Sequence, residues 1–410
     1  MTPPSLDSRA RVLVVGAGVA GLEFVLGLSD LAPDGASVEI VAPEREFTYR
    51  PFAVAETFGV GPPFHLPLEK VAADVGARLR RARAVSVDDA GGQVRTDAGE
   101  HVPFDLLVVA CGARAEEAVP GTLTFRGSQD EAEFRALLAE LDSGAVGSAA
   151  FVVPAGATWP LPLYELALLT AAQLRQSGRS GVRLVLVTPE GRALERFGGA
   201  ASEAVTRLLD EAAIELRPGR YAAEFAGGEL RLVPDERLEV ERVVALPRLR
   251  GRRLDGLAGD ADGFVPTDLH GLVRGRDDVY AAGDVTSFPL KQGGIAVEQA
   301  DAVAQSVAAR LGASVRPQPF RPVLRGLLLT GGAPTFLWAD PAGGRGETSV
   351  ATSSPLWWPP AKIAGGRLAA YLRSQGLPVP EPPGGPATVP VTVDLSGGGN
   401  APPARAHVRT

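Results

Sequence analysis

The residues best suited to chemistry in this sequence are three glycines that follow a short apolar run near its start. Residues 12–15 predict a buried strand, and Gly16, Gly18 and Gly21 follow that run with the spacing G-x-G-x-x-G. At this spacing the first glycine permits a tight turn, the second lets a pyrophosphate approach the backbone, and the third lets a helix pack closely on the strand. The pattern therefore predicts a cradle for a dinucleotide.

A helix and a second strand are predicted to complete this unit. Residues 21–31 form a helical pattern whose N-terminal amides and dipole would point at the phosphates. Residues 37–41 predict the second strand, and Glu44 follows it, where a carboxylate can accept hydrogen bonds from a ribose hydroxyl. The alternative is an empty turn of the same shape, in which the glycines serve packing alone.

Two later strands are predicted to end beside this cradle. Residues 104–110 form an apolar run that is followed closely by Gly112, and residues 279–285 form another, which contains Gly283 and Asp284. Ligands of open α/β sheets bind at the carboxyl ends of the strands, so both ends are expected near the glycine turn. An aspartate in such a place can hold the ribityl hydroxyls of a flavin nucleotide.

A lysine and a helix follow the second of these strands. Lys291 precedes a helix predicted over residues 295–311. The N-terminus of a helix offers positive potential to the N1/O2 edge of a flavin, where reduction places negative charge. Lys291 would add to that potential; the alternative is a solvated lysine in a loop.

Length, composition and charge limit the possible functions. The chain has 410 residues, a hydrophobic fraction of 45% and a charged fraction of 22%, which suit a globular protein of two or three domains. Its net charge of −7 argues against broad binding to nucleic acid. No apolar run reaches the roughly 18 residues that span a bilayer, and the apolar run after Arg9 and Arg11 is the glycine-punctuated strand rather than a signal peptide. We therefore expect a cytoplasmic protein.

Cysteine and histidine usage excludes several chemistries. The sequence has one cysteine, Cys111, so neither an internal disulfide nor a CxxC redox pair can form. The four histidines, His65, His101, His270 and His407, are scattered without the spacing of metal ligands. We predict no metal site.

A second set of elements repeats the order of the first, but its turn differs. Where glycines would be expected, the sequence has Trp159 between Gly156 and Pro160, and Pro162 follows. Because prolines have no N–H to offer and tryptophan is bulky, the usual pyrophosphate cradle cannot form there. Glu190 could still meet a ribose, so binding of NAD(P)H and a scaffold that has lost the site both remain open. The strands and helices of this repeat are predicted at residues 130–141, 149–153, 163–176, 182–187, 200–213 and 214–216.

An aromatic connection spans residues 43–67. It is either a lid packed on the core of the protein or a wall beside a flat ring. It ends in a short helix predicted over residues 66–75, and a meander of three strands is predicted next, at residues 82–87, 93–96 and 101–103.

Three motifs together resemble those of a known family. The glycine turn, the segment Val-Val-Ala-Cys-Gly-Ala at residues 108–113 and the segment Tyr-Ala-Ala-Gly-Asp at residues 280–284 resemble, in this order, the FAD-contacting motifs of the pyridine nucleotide-disulfide oxidoreductase superfamily. The resemblance covers about residues 10–375. The segment at residues 291–294, with Gln-Ala-Asp at 299–301, is most similar to the branch that contains sulfide:quinone oxidoreductases and type II NADH dehydrogenases.

The resemblance implies a set of FAD contacts. On the nucleotide side these are Gly16, Ala17, Gly18, Val19, Ala20, Gly21, Glu44, Val85, Ala110, Gly112, Gly283 and Asp284. Near the flavin ring they are Arg50, Pro51, Lys291, Gln292, Gly293, Gly294 and Ile295.

The departures from the family limit the chemistry. Sulfide oxidation in that branch uses paired cysteines beside the flavin, and Cys111 alone cannot supply them, so we expect it to pack against the cofactor. We predict an FAD-dependent oxidoreductase that passes two electrons from a small donor through the flavin to a quinone or another small acceptor. The alternatives are an NAD(P)H:quinone reductase proper and a non-catalytic flavin-binding protein. No residue is identified as a catalytic acid or base.

The predicted fold is α/β, with two Rossmann-like three-layer dinucleotide-binding domains, the second inserted in the first, and a small C-terminal region. The FAD-binding domain comprises residues 1–125 and 263–315, and the second domain residues 126–262. Residues 316–376 are expected to form a cap, with strands at 320–330 and 334–339 and a helix at 361–373, and residues 377–410 a Pro/Gly-rich tail with a strand at 388–395.

In quinone-reducing relatives the corresponding cap borders the quinone path and helps to seat the protein on a membrane. Trp357 and Trp358 before the cap helix are compatible with peripheral membrane contact at the inner face, although packing over the flavin is the favoured reading. A homodimer is left open.

Overall fold

The computed structural model describes residues 9–60, 63–88, 92–340 and 348–378, so the strand predicted at residues 388–395 lies outside the described residues. The α-helices are α1 Val19–Leu31, α2 Ala53–Thr57, α3 Leu68–Asp74, α4 Glu131–Ser143, α5 Leu161–Gln176, α6 Gly198–Glu211, α7 Gly293–Arg310 and α8 Gly366–Ser374. The strands are β1 Ala10–Val15, β2 Ala36–Val41, β3 Glu46–Thr48, β4 His65–Pro67, β5 Arg78–Arg80, β6 Ala84–Asp88, β7 Gln93–Thr96, β8 His101–Pro103, β9 Leu106–Val109, β10 Ala113–Glu116, β11 Leu123–Thr124, β12 Ser148–Val152, β13 Arg183–Val187, β14 Ile214–Arg217, β15 Tyr221–Ala226, β16 Glu229–Val233, β17 Glu236–Glu239, β18 Arg242–Ala245, β19 Arg248–Gly251, β20 Val279–Ala281, β21 Leu324–Leu328, β22 Thr335–Ala339 and β23 Ser349–Thr352.

The first sheet has the strand order β20-β9-β1-β2-β5, with all neighbours parallel. Val12 and Val14 of β1 pack with α1 and α7 on one face, whereas Leu13 and Val15 pack with the antiparallel meander β6-β7-β8 on the other. Burial on both faces explains why β1 is apolar at every one of these positions. In the register of the sheet Val15 and Ala281 both lie beside Val109, so the predicted motif strands end together.

The second sheet repeats this arrangement with the order β11-β18-β12-β13-β14, again all parallel. Phe151 of β12 packs with α4, α5 and α6, and Ala150 and Val152 face the antiparallel sheet β15-β16-β17. The predicted α/β class with two Rossmann-like units is therefore confirmed. A two-stranded antiparallel sheet, β10-β19, lies on the two chain segments that run between the units.

The helix of the C-terminal region starts later than predicted. Strands β21 to β23 form an antiparallel sheet, as the two predicted strands suggested, but α8 begins at Gly366 instead of residue 361. Gly365 and Gly366 have φ values of +81° and +69°, a backbone region that stops a right-handed helix from starting earlier. Ala361 and Ile363 are instead buried in an irregular segment.

A buried carboxylate holds α8 against α1. Glu23 of α1 is fully buried and accepts hydrogen bonds from the backbone N–H groups of Arg367 and Leu368, at 2.9 and 2.7 Å. These are orphan donors of the first turn of α8, so Glu23 caps a helix that lies more than 300 residues further along the chain. Burial raises the pKa of Glu23, while the two N–H donors act against that rise.

Candidate functional site

The glycine turn after β1 has three different local environments. Gly16 has a φ of +106°, and a side chain there would overlap the backbone of Ala110. A side chain at Gly21 would overlap the carbonyl of Gly16, which is the close strand–helix packing that the spacing predicts. A side chain at Gly18 would meet no atom within 4 Å. The open space is thus at Gly18, directly before the first residues of α1. A phosphate in this space could accept hydrogen bonds from the N-terminal amides of that helix.

The other two motifs lie against this turn. Ala110 donates a backbone hydrogen bond of 2.8 Å to Val15, and Gly112 beyond it has a φ of +71° and open space where a side chain would be. Gly283 has a φ of +80°, and a Cβ there would lie 2.8 Å from the side chain of Ala20. The structure therefore brings the three predicted motifs to one edge of the first sheet.

Asp284 has the properties expected of a ligand for hydroxyl groups. It is half-buried, and within the described part of the chain no group donates a hydrogen bond to its carboxylate. Burial raises the pKa of Asp284, and the charges of Lys291 and Arg50 oppose that rise. Because a buried carboxylate without donors is costly, the ribityl hydroxyls of FAD fit this position.

Lys291 is not a solvated lysine. Its side chain is only 6% exposed, its Nζ donates to the carbonyl of Thr286, and it lies 4.0 Å from the ring centre of Phe264. Burial lowers its pKa to about 8, although the charges of Asp284 and Asp260 act in the opposite direction. Lys291 is therefore a buried cation next to the carboxylate of the third motif.

The segment after Lys291 starts α7 and connects it to the C-terminal region. Gln292 caps the helix, since its Oε1 accepts the N–H of Ile295 at 3.2 Å, and its Nε2 donates to the carbonyl of Arg325 at 2.7 Å. A Cβ on Gly293 would lie 2.8 Å from Ile363, so the C-terminal segment touches the helix start. The helix begins at Gly293, two residues before its predicted start, because of this cap.

The remaining predicted contacts lie at the borders of the site. Glu44 is exposed beyond β2, Val85 is half-buried in β6, and Arg50 and Pro51 lie in a single 3₁₀ turn. Gly294 is buried at the start of α7. These placements agree with a site that runs from the meander to α7, and the contacts themselves remain predictions.

The aromatic connection packs mainly on the core of the protein. Phe47 and Tyr49 are buried in the cluster that holds α1 and α7, and Phe58 packs edge-on against Phe134 of α4. The hydroxyl of Tyr49 accepts the N–H of Ile363 at 3.0 Å, which ties this connection to the C-terminal region. Of the two hypotheses for this connection, the structure favours a lid packed on the core.

Sequence patterns missed two polar contacts around the site. Gln299 of α7 accepts the N–H of Gly283 at 2.8 Å and so orients the third motif. Glu165 and Lys362, 1% and 8% exposed, form a buried ion pair with Nζ–O distances of 2.7 and 2.6 Å, and Glu165 also accepts the N–H of Leu329. Burial raises the pKa of Glu165, and Lys362 opposes the rise. Because 197 residues separate the two charges, no local pattern could have paired them.

Apolar side chains pack at the end of the turn of the second unit, whereas Gly156 within the turn is exposed and has open space where a side chain would be. Trp159 packs against Phe197 with ring centres 5.6 Å apart. A Cβ on Gly326 of β21 would lie 2.7 Å from Leu161 and 2.8 Å from Phe197, so the C-terminal sheet lies directly against this turn. The first residues of α5, including Leu161, are buried, and Pro162 leaves fewer amides for an anion.

Glu190, the residue of the second unit that could bind a ribose, already accepts hydrogen bonds from the protein. Oε2 of Glu190 accepts the hydroxyls of Tyr164 at 3.2 Å and of Thr188 at 3.1 Å. Its other oxygen, Oε1, is enclosed and has no partner among the described residues. Burial raises the pKa of Glu190. This half-buried carboxylate therefore belongs to a polar cluster with Tyr164 and Thr188.

Comparison with known proteins identifies the family. Residues 10–305 match the pyridine nucleotide-disulphide oxidoreductases. The chain belongs to this family. An NADH dehydrogenase-like protein of Mycobacterium tuberculosis (strain CDC 1551 / Oshkosh) is 27% identical over 292 residues, which cover 68% of this chain and 73% of the relative. A type II NADH:quinone oxidoreductase of Staphylococcus saprophyticus is 26% identical over 306 residues, covering 69% of this chain and 76% of the relative.

Among solved structures, the sulfide:quinone oxidoreductase of Aquifex aeolicus is similar with a TM-score of 0.77 and 19% identity, covering 84% of this chain and 86% of that one. This likeness supports the fold. Membership of the pyridine nucleotide-disulphide oxidoreductase family makes the chain an FAD-dependent oxidoreductase, as the three motifs predicted. The room at Gly18 and Gly112 fits that cofactor, as does the carboxylate of Asp284, to which no described residue donates a hydrogen bond.

The described residues contain neither a membrane-spanning helix nor a metal-binding cluster. None of the helices in the described ranges is long and apolar enough to cross a membrane. No cluster of histidine, cysteine and carboxylate side chains suited to a metal ion occurs among the described residues.

The Lys291→Met variant is expected to lower the midpoint potential of the bound flavin by about 30 to 60 mV, where 30 mV corresponds to about 1.4 kcal/mol for two electrons. The reason is the loss of a buried positive charge at the predicted flavin edge. Anaerobic potentiometric titration measures the change. Since the pKa of Lys291 is lowered to about 8, its charge is lost as the pH rises through that value. The difference in midpoint potential between wild type and Lys291→Met is therefore expected to shrink above pH 8.

The Lys291→Arg variant is the matched control. It keeps the positive charge, so the midpoint potential of its flavin should stay close to that of wild type. Equal potentials for wild type and Lys291→Met below pH 8 would contradict a position of Lys291 at the flavin edge.

Proposed function

We propose that this FAD-dependent oxidoreductase passes two electrons from a small donor, through its flavin, to a quinone or a similar small acceptor. Bound FAD supplies the redox chemistry, and the chain supplies binding, orientation and electrostatics. Lys291 and the start of α7 place positive potential at the predicted flavin edge. The relatives' names include quinone reductases, which supports the acceptor class.

The contact between the flavin-ring segment and the C-terminal region carries the acceptor part of the proposal. Gly293 at the start of α7 lies against Ile363. In the same C-terminal segment, the indole N–H of Trp357 donates to the carbonyl of Ala361 at 2.9 Å. Trp357 in turn packs edge-on against Phe336. An acceptor that reaches the flavin past this segment would meet an aromatic and apolar wall, which suits a quinone ring.

The outer side of the same segment presents apolar side chains to solvent. Trp358 is 67% exposed and Leu356 is 39% exposed, and the guanidinium of Arg373 lies 5.9 Å from the Trp358 ring. Exposed tryptophan beside a basic residue suits the interface of a membrane, where a lipid-soluble acceptor is found. This arrangement supports peripheral membrane contact of the C-terminal region.

The second unit favours a small donor over NAD(P)H. Trp159 packs on Phe197 beside the turn, and Pro160 and Pro162 offer no N–H at the start of α5. The carboxylate of Glu190 accepts hydrogen bonds from the hydroxyls of Tyr164 and Thr188. The pyrophosphate of NAD(P)H would find few free amides at the start of α5, because prolines stand at two of its first positions. NAD(P)H remains the second candidate because two similar proteins are named for NADH.

Anaerobic flavin bleaching tests the proposal. The purified holoenzyme is mixed with NADH, NADPH or a panel of small reductants, and the visible flavin band is followed before decylubiquinone is added. We expect no rapid bleaching by either nicotinamide, bleaching by at least one small reductant, and recovery of the band with the quinone. Rapid bleaching by NADH would establish the second candidate. Turnover with any donor and acceptor would eliminate a purely structural role for FAD, and a colourless protein that binds no FAD would overturn the whole assignment.

A further inference from the structure

Arg252 occupies a position between two segments that are predicted to contact FAD. Strands β10 and β19 are antiparallel with Ala113 opposite Gly251, so the next residue, Arg252, lies beside Gly112. Three residues later Asp255 donates its backbone N–H to the carbonyl of Val85 at 3.1 Å. Arg252 is therefore bracketed by the end of β9 on one side and by the meander on the other.

The charge of Arg252 acts on Cys111, which follows β9 beside the glycine turn. Burial raises the pKa of the Cys111 thiol to about 11, and the positive charge of Arg252 lowers that pKa. The backbone of Cys111 is also one of the groups that a Cβ on Gly16 would meet, at 2.8 Å. The Arg252 charge thus acts on the residue whose backbone lies against the first glycine of the cradle.

Arg252 differs from its neighbour on the same strand face in having no partner. It is half-buried, and no described residue forms a hydrogen bond or ion pair with it. Arg250, two residues earlier, pairs with Glu116 at 3.5 Å and also with Asp262. The N–H donors of this half-buried guanidinium are therefore free of acceptors from the described chain and available to an anion from outside it.

The cofactor has an anion at this end of the site. The FAD diphosphate lies over the glycine turn in Rossmann folds, where α1 offers amides and a partial charge of about half an elementary unit. The other cations that act on the site, Lys291 and Arg50, are placed around Asp284 at the ribityl end. The planar fork of an arginine matches two phosphate oxygens at once.

We propose that Arg252 binds the diphosphate of FAD from the side opposite α1, as a cofactor contact outside the three glycine motifs. The contact rests on FAD being the cofactor and is independent of the donor and the acceptor. It makes the return segment after β19 part of the cofactor site, so the chain that leaves the second unit also closes the nucleotide end of the first.

The test compares FAD affinity in the Arg252→Gln and Arg248→Gln variants. Arg248 is a matched control because it is half-buried on the same face of β19, about 13 Å away along the strand. FAD is removed, and its dissociation constant for each apoprotein is measured by flavin fluorescence, without any donor or acceptor. We expect Arg252→Gln to bind FAD about 10- to 100-fold more weakly, Arg252→Lys to lie in between, and Arg248→Gln to match wild type.

Competition and salt identify the group that Arg252 contacts. ADP, which has the diphosphate but no flavin, is expected to lose affinity for Arg252→Gln as FAD does, whereas riboflavin is not. Added salt should weaken wild-type binding more than binding to the variant, because it screens the ion pair. Wild-type affinity of Arg252→Gln for FAD would overturn the proposal, as would an equal loss for adenosine and ADP, which would indicate stacking on the base. Thermal unfolding of each apoprotein excludes a general folding defect as the cause.

Discussion

The Gly18→Val apoprotein is expected to fold like wild type and to bind FAD at least about 100-fold more weakly, which corresponds to about 3 kcal/mol. No protein atom lies within 4 Å of the position that a Cβ would take on Gly18, and its φ of −81° is accessible to any residue. The new side chain therefore enters only the space predicted for the phosphates. Flavin fluorescence titration measures the affinity, and thermal unfolding of the apoprotein measures the fold.

The Gly21→Val variant gives the contrasting result. A side chain there would overlap the carbonyl of Gly16, so strand and helix must separate. We expect it to lower the free energy of unfolding of the apoprotein by about 3 kcal/mol or more, whereas Gly18→Val should cost less than about 1 kcal/mol through the weaker helix cap. If Gly18→Val retained wild-type affinity for FAD, the cradle would not be where the phosphates bind.

The Lys362→Met variant is expected to lose about 3 to 5 kcal/mol of unfolding free energy at neutral pH, because it leaves the carboxylate of Glu165 buried without its counter-charge. The folded-state pKa of Glu165 is raised by burial, so its folded form takes up a proton before its unfolded form does as the pH falls. The loss should therefore be smallest below a pH of about 4.3 and grow as the pH rises through the raised value. Denaturant unfolding of wild type and Lys362→Met at several pH values measures this difference in unfolding free energy.

Two control variants separate the effect of burial from that of charge. The double variant Glu165→Met/Lys362→Met removes both buried charges and should recover most of the lost stability. Arg237→Met breaks an exposed pair with Glu229, whose side chains are 72% and 38% exposed, and should cost less than about 1 kcal/mol. A loss for Lys362→Met no larger than that for Arg237→Met would show that the pair is not buried in solution.

The ion pair also explains how the C-terminal region is held. Lys362 joins the second unit through Glu165, its neighbour Ile363 joins the aromatic connection through Tyr49, and Glu23 caps α8 from the first unit. Each of these contacts uses a buried polar group whose partner is at least 197 residues away in the chain. The C-terminal region is therefore fixed to both units by a few polar contacts at defined points.

Local patterns were sufficient for the parts of the molecule that depend on neighbours in the chain. The buried runs of β1, β9 and β20 were predicted because strands covered on both faces must be apolar. The glycine spacing after β1 was informative because three steric demands fall within six residues. The last helix was predicted correctly except for its start, residue 361, because the start depends on the φ values of Gly365 and Gly366, which composition does not reveal.

By itself the sequence determined that this chain is an α/β flavoprotein of the pyridine nucleotide-disulphide oxidoreductase family with one intact glycine cradle and no pair of redox cysteines. Only the tertiary structure decided that Lys291 is buried, that Glu165 meets Lys362, and that Trp159 packs against Phe197 beside the second turn. The reason is physical. Backbone turns and strand burial are set by residues close together in the chain, whereas burial of charge and closure of a crevice depend on segments that meet only after the chain has folded.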